Sequence, residues 1–185
     1  MSLRERFAEL KKSNKGYTLA ELLAVMALMG VLAGLLSFSI VLIFSRDAEV
    51  TAKKINDVVT DARLYAMSKD GEFAVTLTTS SDGKGNSIKI TCDDSTGTTV
   101  IDNVVLTKQA KITFGEEGSL PAAATNSTVK VTFNKKGMVK AMQIGGTTVS
   151  DVSNKVYQAH CVSNRNSSKS MDVFLVTSTG RHYVE

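Results

Sequence analysis

Twenty-three consecutive residues, 22–44, carry no charge. Written as a helix, that run is about 35 Å long, enough to cross a hydrocarbon core of about 30 Å. Its entrance is unusual. A short basic segment ends at Gly16, Tyr17 and Thr18 follow, and one carboxylate, Glu21, stands at the mouth of the apolar run. A lone acid there is costly in lipid and marks function.

The charge balance points the same way. Residues 1–16 hold Arg4, Arg6, Lys11, Lys12 and Lys15 against Glu5 and Glu9, a net +3 of the total +4. The rest is close to neutral, so the chain lacks the broad basic face of a nucleic-acid binder. Under the positive-inside rule the leader stays cytoplasmic and everything after the apolar run lies outside.

Three readings fit residues 1–45. A secretory signal peptide needs an apolar core of about 7–15 residues before its cleavage site. The run here is longer, and a cut after Ser37-Phe38-Ser39 would leave the apolar stub Ile40-Val41-Leu42-Ile43-Phe44. A plain single-pass anchor accounts for the length but not for Gly16-Tyr17 or Glu21. The third reading accounts for both. The text KGYTLAELLAVMALMGVLAGLL resembles the N-terminal signature of type IV prepilins and their pseudopilin relatives. The resemblance implies cleavage between Gly16 and Tyr17 by a prepilin peptidase/methyltransferase, with Tyr17 becoming the N-methylated terminus. It also implies that Glu21 pairs with the Tyr17 amine of a neighbouring subunit, which checks register during assembly.

Further departures and details belong to the same segment. Tyr17 replaces the family's more usual Phe, Ala20 is smaller than the common Ile or Val, and no proline interrupts 36–38. Gly30 and Gly34 form a Gly-x-x-x-Gly pair that permits close helix packing, though small residues are common in any membrane helix.

Beyond 44 the apolar residues Ile55, Val58, Val59, Ala62, Tyr65 and Ala66 recur at three and four. The expected element is one helix from about 18 to 69, roughly 78 Å long, apolar all round in its first half and amphipathic in its second, stopped by Gly71. A sheet is expected against the amphipathic half. Alternation marks strands at 73–77, 88–92 and 129–133, with further strands at 98–106, 111–114, 138–144, 155–162, 171–177 and 181–184. Turns are expected at 80–87, 134–137 and 179–180, and loops at 115–126, 145–154 and 163–170. The text Val131–Gly137, with the later Ser178-Thr179-Gly180-Arg181 hairpin, is similar to minor pilins and pseudopilins with small cores.

The fold expected is therefore α+β, a long N-terminal helix packed on a C-terminal antiparallel β-sheet domain, type IV pilin-like. Its parts are a cleaved leader (1–16), a transmembrane and filament-core helix (17–45), the amphipathic half of that helix (46–70) and a globular β-rich head (71–185).

Other chemistry is sparse. Cys92 and Cys161 permit one disulfide if the head is exported, or two separate buried thiols. His160 and His182 lack the three or four convergent ligands a metal needs, and His160 reads as a strand residue at a sheet edge. There is no nucleophile elbow, and no cofactor is expected. Asp93-Asp94 reads as a solvated turn. Arg165, Lys169 and Arg181 are the one residue-level hint of a nucleic-acid or other polyanion contact, set against an ordinary solvated surface.

By resemblance, the function expected is that of a structural, non-enzymatic subunit of a type IV pilus or pilus-like filament. The partners implied are further copies in a helical filament, the peptidase/methyltransferase, and an assembly platform with its ATPase. The location implied is the cell membrane, then the cell surface. The alternatives are a minor pilin or pseudopilin of a type II secretion or DNA-uptake system that binds cargo, and a membrane-tethered domain that never polymerises.

Overall fold

The computed structural model describes residues 17–44, 46–106, 109–120 and 127–185, and of 36–44 the backbone alone. The expected leader 1–16, Gly16 included, lies outside the described residues, as does the 121–126 part of the loop expected at 115–126.

Two compact units make up the chain, Met1–Leu42 and Ile43–Glu185. The first holds most of helix α1, Leu19–Phe44. The second holds the end of α1, helix α2 (Arg46–Ser68) and, among the described residues, ten strands. Of the single helix expected over 18–69, Leu19–Phe44 and Arg46–Ser68 are helical, and Ser45 between them lies outside the described residues.

The amphipathic pattern of α2 is realised as drawn. Ala48, Thr51, Ala52, Ile55, Val58, Val59, Ala62 and Ala66 are buried on one face. The helix ends at Ser68, three residues short of Gly71. Glu49 and Lys53 form an i,i+4 ion pair at 2.5 Å on its surface.

Strands β1 (Glu72–Thr79), β2 (Ser87–Asp94), β3 (Gly97–Val105), β5 (Ser127–Phe133), β6 (Val139–Ile144) and β7 (Thr147–Thr148) form one antiparallel sheet in the order β3-β2-β1-β5-β6-β7. Strands β4 (Ala110–Glu116), β8 (Val156–Ser163), β9 (Ser170–Val176) and β10 (Arg181–Val184) form a second, in the order β10-β9-β8-β4. One sheet was expected and two are present. β7 falls in the segment expected to be loop at 145–154, and β4 runs two residues into the loop expected from 115.

Register explains why the alternating residues matter. Phe73 lies opposite Cys92 and Phe133, Val75 opposite Ile90 and Val131, and Leu77 opposite Ile88 and Val129. A period of two sends every one of these nine side chains to the same face, and all nine are buried. In the second sheet Tyr157, Ala159 and Cys161 do the same, against Leu175, Val173 and Met171. The buried face of α2 packs on strands of both sheets, so one core serves the helix and both sheets. An apolar cavity of about 40 Å³ remains where Ile55, Val59, Val75, Leu77, Ala159 and Leu175 meet.

Candidate functional site

The N-terminal helix starts at a capping box. Thr18 is the cap. Its hydroxyl accepts the Glu21 backbone N–H at 3.2 Å, and the Glu21 carboxylate accepts the Thr18 backbone N–H at 2.9 Å. The Thr18 hydroxyl also donates to that carboxylate at 3.0 Å. Two amides that a helix start leaves unpaired are thus satisfied reciprocally. Thr18 was not singled out in the sequence, although Thr-x-x-Glu before an apolar run is the signal for this motif. Tyr17 precedes the cap and is 82% exposed.

Past the cap, α1 has no core to join within the described residues. Every residue from 17 to 35 is exposed, including Leu19, Met26, Met29 and Leu35, each above 60%. Gly30 and Gly34 lie on open surface. A Cβ built at either would meet nothing within 4 Å. Among the described residues no helix is long and apolar enough to cross a membrane. Residues 19–35, whose side chains are described, fall short of the roughly 20 that a crossing takes.

The cysteines are not bonded to each other. Both are free and buried, Cys92 on β2 of the first sheet and Cys161 on β8 of the second. Burial pushes the Cys161 thiol up to about 12, which keeps it protonated and inert.

His160 is not at a sheet edge. It lies on β8 between β4 and β9, with its Nδ1 2.6 Å from Oδ1 of Asp172 on β9. Among the described residues no group of three or more His, Cys, Asp or Glu side chains is placed to hold a metal. The basic patch drawn from Arg165, Lys169 and Arg181 does not form. Arg165 and Lys169 lie in the β8–β9 connection and Arg181 begins β10, so the seven-residue β9 separates them. At about 3.3 Å per residue that is over 20 Å. The Arg181 guanidinium lies instead 5.9 Å from the ring of Tyr183, which stacks on Phe174. A surface cleft of about 840 Å³ near Gly71 and Asp94 is lined largely by charges that already have partners, Lys135 with Asp70, Lys140 with Glu72 and Lys130 with Asp93.

One residue that the sequence reading passed over ties the second unit together. Arg63 of α2 donates from Nε to the Gly137 carbonyl at 3.0 Å and from Nη2 to the Thr179 carbonyl at 3.1 Å. Gly137 ends the β5–β6 turn of the first sheet, and Thr179 lies in the β9–β10 turn of the second. No local pattern betrays this, because the acceptors are backbone atoms 74 and 116 residues away.

Comparison with known proteins gives three findings. Residues 11–37 match the family model described as the prokaryotic N-terminal methylation motif. No curated protein matches the chain. The crystal structure of the type IV minor pilin FimU of Pseudomonas aeruginosa (strain PAO1) is similar at 16% identity, with a TM-score of 0.48, covering 76% of this chain and 89% of that one.

Proposed function

We propose, from the prokaryotic N-terminal methylation motif at residues 11–37, that this chain is a type IV prepilin-like structural subunit, cut after Gly16, N-methylated at Tyr17 and polymerised through its N-terminal helix. One observation carries the reading. The motif sits on a helix start whose apolar residues are exposed on all sides, with one carboxylate at the entrance. Such a surface has to be buried in lipid or in sister helices. The uncharged run 22–44 supports lipid first and the filament core afterwards.

Cleavage would create an α-amino group, normally protonated near neutral pH. The N-terminal end of a helix dipole is already positive, so that cation gains from a carboxylate. Glu21 of an axially displaced neighbour supplies one. Removing one partner of such a desolvated pair costs about 3–5 kcal/mol, enough to exclude a misregistered subunit. The peptidase acts at the cytoplasmic face, and an assembly platform driven by its ATPase extracts the trimmed subunit.

Intact-mass measurement of surface filaments tests the proposal. The mature protein should lack residues 1–16 and carry one methyl group on Tyr17. Full-length protein in surface material overturns the processing step. Glu21→Ala should abolish or sharply reduce incorporation, and normal assembly of that variant would count against the pairing. Abundance separates a filament-building subunit from a trace component that binds cargo.

A further inference from the structure

Helix α2 has a second face that the second unit leaves bare. Arg46, Val50, Lys53, Asp57, Asp61 and Leu64 recur at three and four residues and are all exposed, on the side opposite Ile55, Val59 and Ala62. Val50 is 40% exposed and Leu64 52%. Single exposed apolar side chains are ordinary. The order of the charges between these two is not.

Both basic residues of the stripe, Arg46 and Lys53, lie in its N-terminal half, and both acids, Asp57 and Asp61, in its C-terminal half. Lys53 is engaged by Glu49. Asp57 and Asp61 have no ion-pair partner among the described residues. They stand four apart, a like-charge spacing that disfavours the helix. A cation arriving from outside would relieve it.

We propose that this stripe seats a second copy of the chain, parallel to the first and displaced along α2 by 14 residues, about 21 Å. Val50 of one copy then lies level with Leu64 of the next. Arg46 lies level with residue 60, so its guanidinium reaches between Asp57 and Asp61 of the next copy. The antiparallel alternative that aligns Val50 with Leu64 centres on Asp57, sets that carboxylate against its own equivalent, leaves Arg46 without an acid opposite, and offers Asp61 only Lys53, which Glu49 already engages. In the parallel arrangement each copy offers Arg46 and Val50 to one neighbour and Asp57, Asp61 and Leu64 to the other. A heterologous contact of this kind extends rather than closes. The inference rests on the filament reading above and supplies the head-side half of the same contact.

The test uses the full chain in cells that export it as filaments. Arg46→Glu and Asp61→Arg should each reduce sheared filament yield at least tenfold at unchanged cellular protein level, and the double variant should restore most of it. Separately, Val50→Cys/Leu64→Cys should give a disulfide ladder of many subunits in oxidised filaments, since Cys92 and Cys161 are buried. Parent-like filaments from both single reversals, a double variant no better than either, or cross-linking that stops at dimers overturns the proposal while the filament reading stands. A parent chain that stays untrimmed and single in the membrane removes both.

Discussion

At the scale of single residues, the tightest constraint is the meeting of two turns under Arg63. Gly137 and Gly180 both adopt positive φ, +74° and +65°, and a Cβ at Gly180 would fall 1.7 Å from the Gly137 carbonyl oxygen. Backbone cannot yield as a flexible side chain does. Gly180→Ala therefore carries the left-handed penalty of about 1–2 kcal/mol and a forced separation of the turns as well. The expected loss exceeds about 3 kcal/mol in chemical denaturation of the detergent-solubilised chain. Arg63→Lys should recover little of what Arg63→Ala loses, because one ammonium cannot reproduce the fork that reaches both carbonyls. Close by, His182 is half-buried between β10 and α2, its Nε2 2.8 Å from the Thr60 hydroxyl and its Nδ1 3.1 Å from the Gly180 carbonyl. Burial lowers its pKa below 6.5, aided by Arg63 and opposed by the Gly180 hydrogen bond. With a depressed folded value, the unfolded chain takes up the proton first. Stability is then full above about pH 6.5 and falls as the pH drops from there toward the folded value. His182→Gln should flatten the parent's loss of stability between about pH 7 and pH 5. An unchanged slope would assign that loss to other groups.

At the scale of elements, the legible parts are those with an internal period. The 3.6-residue recurrence on α2 and the alternation on β1, β2 and β5 are properties of neighbouring residues, and the buried sets coincide with them. The division into two sheets has no such local trace. β1 pairs with β5 across the chain that contains β4, while β4 pairs with β8, and alternation says which face a side chain takes but not which strand it meets. β7 is two residues long, too short for any period to show. At α1 the signal was present but had two meanings. Glu21 reads as an assembly residue by resemblance, and by its hydrogen bonds it is also half of a capping box with Thr18. The two roles separate by substitution. Glu21→Gln keeps an oxygen that can accept the Thr18 amide, and loses the charge. Thr18→Ala keeps the charge and loses the cap, at about 1 kcal/mol of helix stability. If the pairing with the Tyr17 amine governs assembly, Glu21→Gln fails like Glu21→Ala while Thr18→Ala still yields filaments. If helix initiation governs it, the order reverses. Filament yield by shearing decides.

At the scale of the whole molecule, the second unit has to keep two sheets together with the bonds of a few residues, since among the described residues no strand of one sheet pairs with a strand of the other. One seam is the Arg63 junction, where the Val139 amide also donates to the Thr177 carbonyl at 3.1 Å. The other is Asn86, fully buried just before β2. Its side chain donates to the Ala110 carbonyl at the start of β4 (2.7 Å) and accepts from the Ser80 amide (2.8 Å), while its own carbonyl accepts from Leu106 (3.0 Å). Nothing in the text 80–87 distinguishes this asparagine from an ordinary turn residue, because its acceptor belongs to another sheet. A covalent tie is not used. Cys92 and Cys161 remain thiols, so reductant should leave the unfolding midpoint unchanged, and neither thiol should react with alkylating reagent before unfolding. Asn86 therefore carries weight that a disulfide carries in many small secreted domains. Asn86→Ala would strand the buried Ala110 carbonyl, at about 1–3 kcal/mol, and leave the half-buried Ser80 amide to water, so a loss of about 1–3 kcal/mol is expected by denaturant titration. The same replacement at Asn103, exposed on edge strand β3, should cost less than about 0.5 kcal/mol. Equal losses at the two sites would mean that the sheets are joined by the shared core alone and that the polar seam contributes nothing.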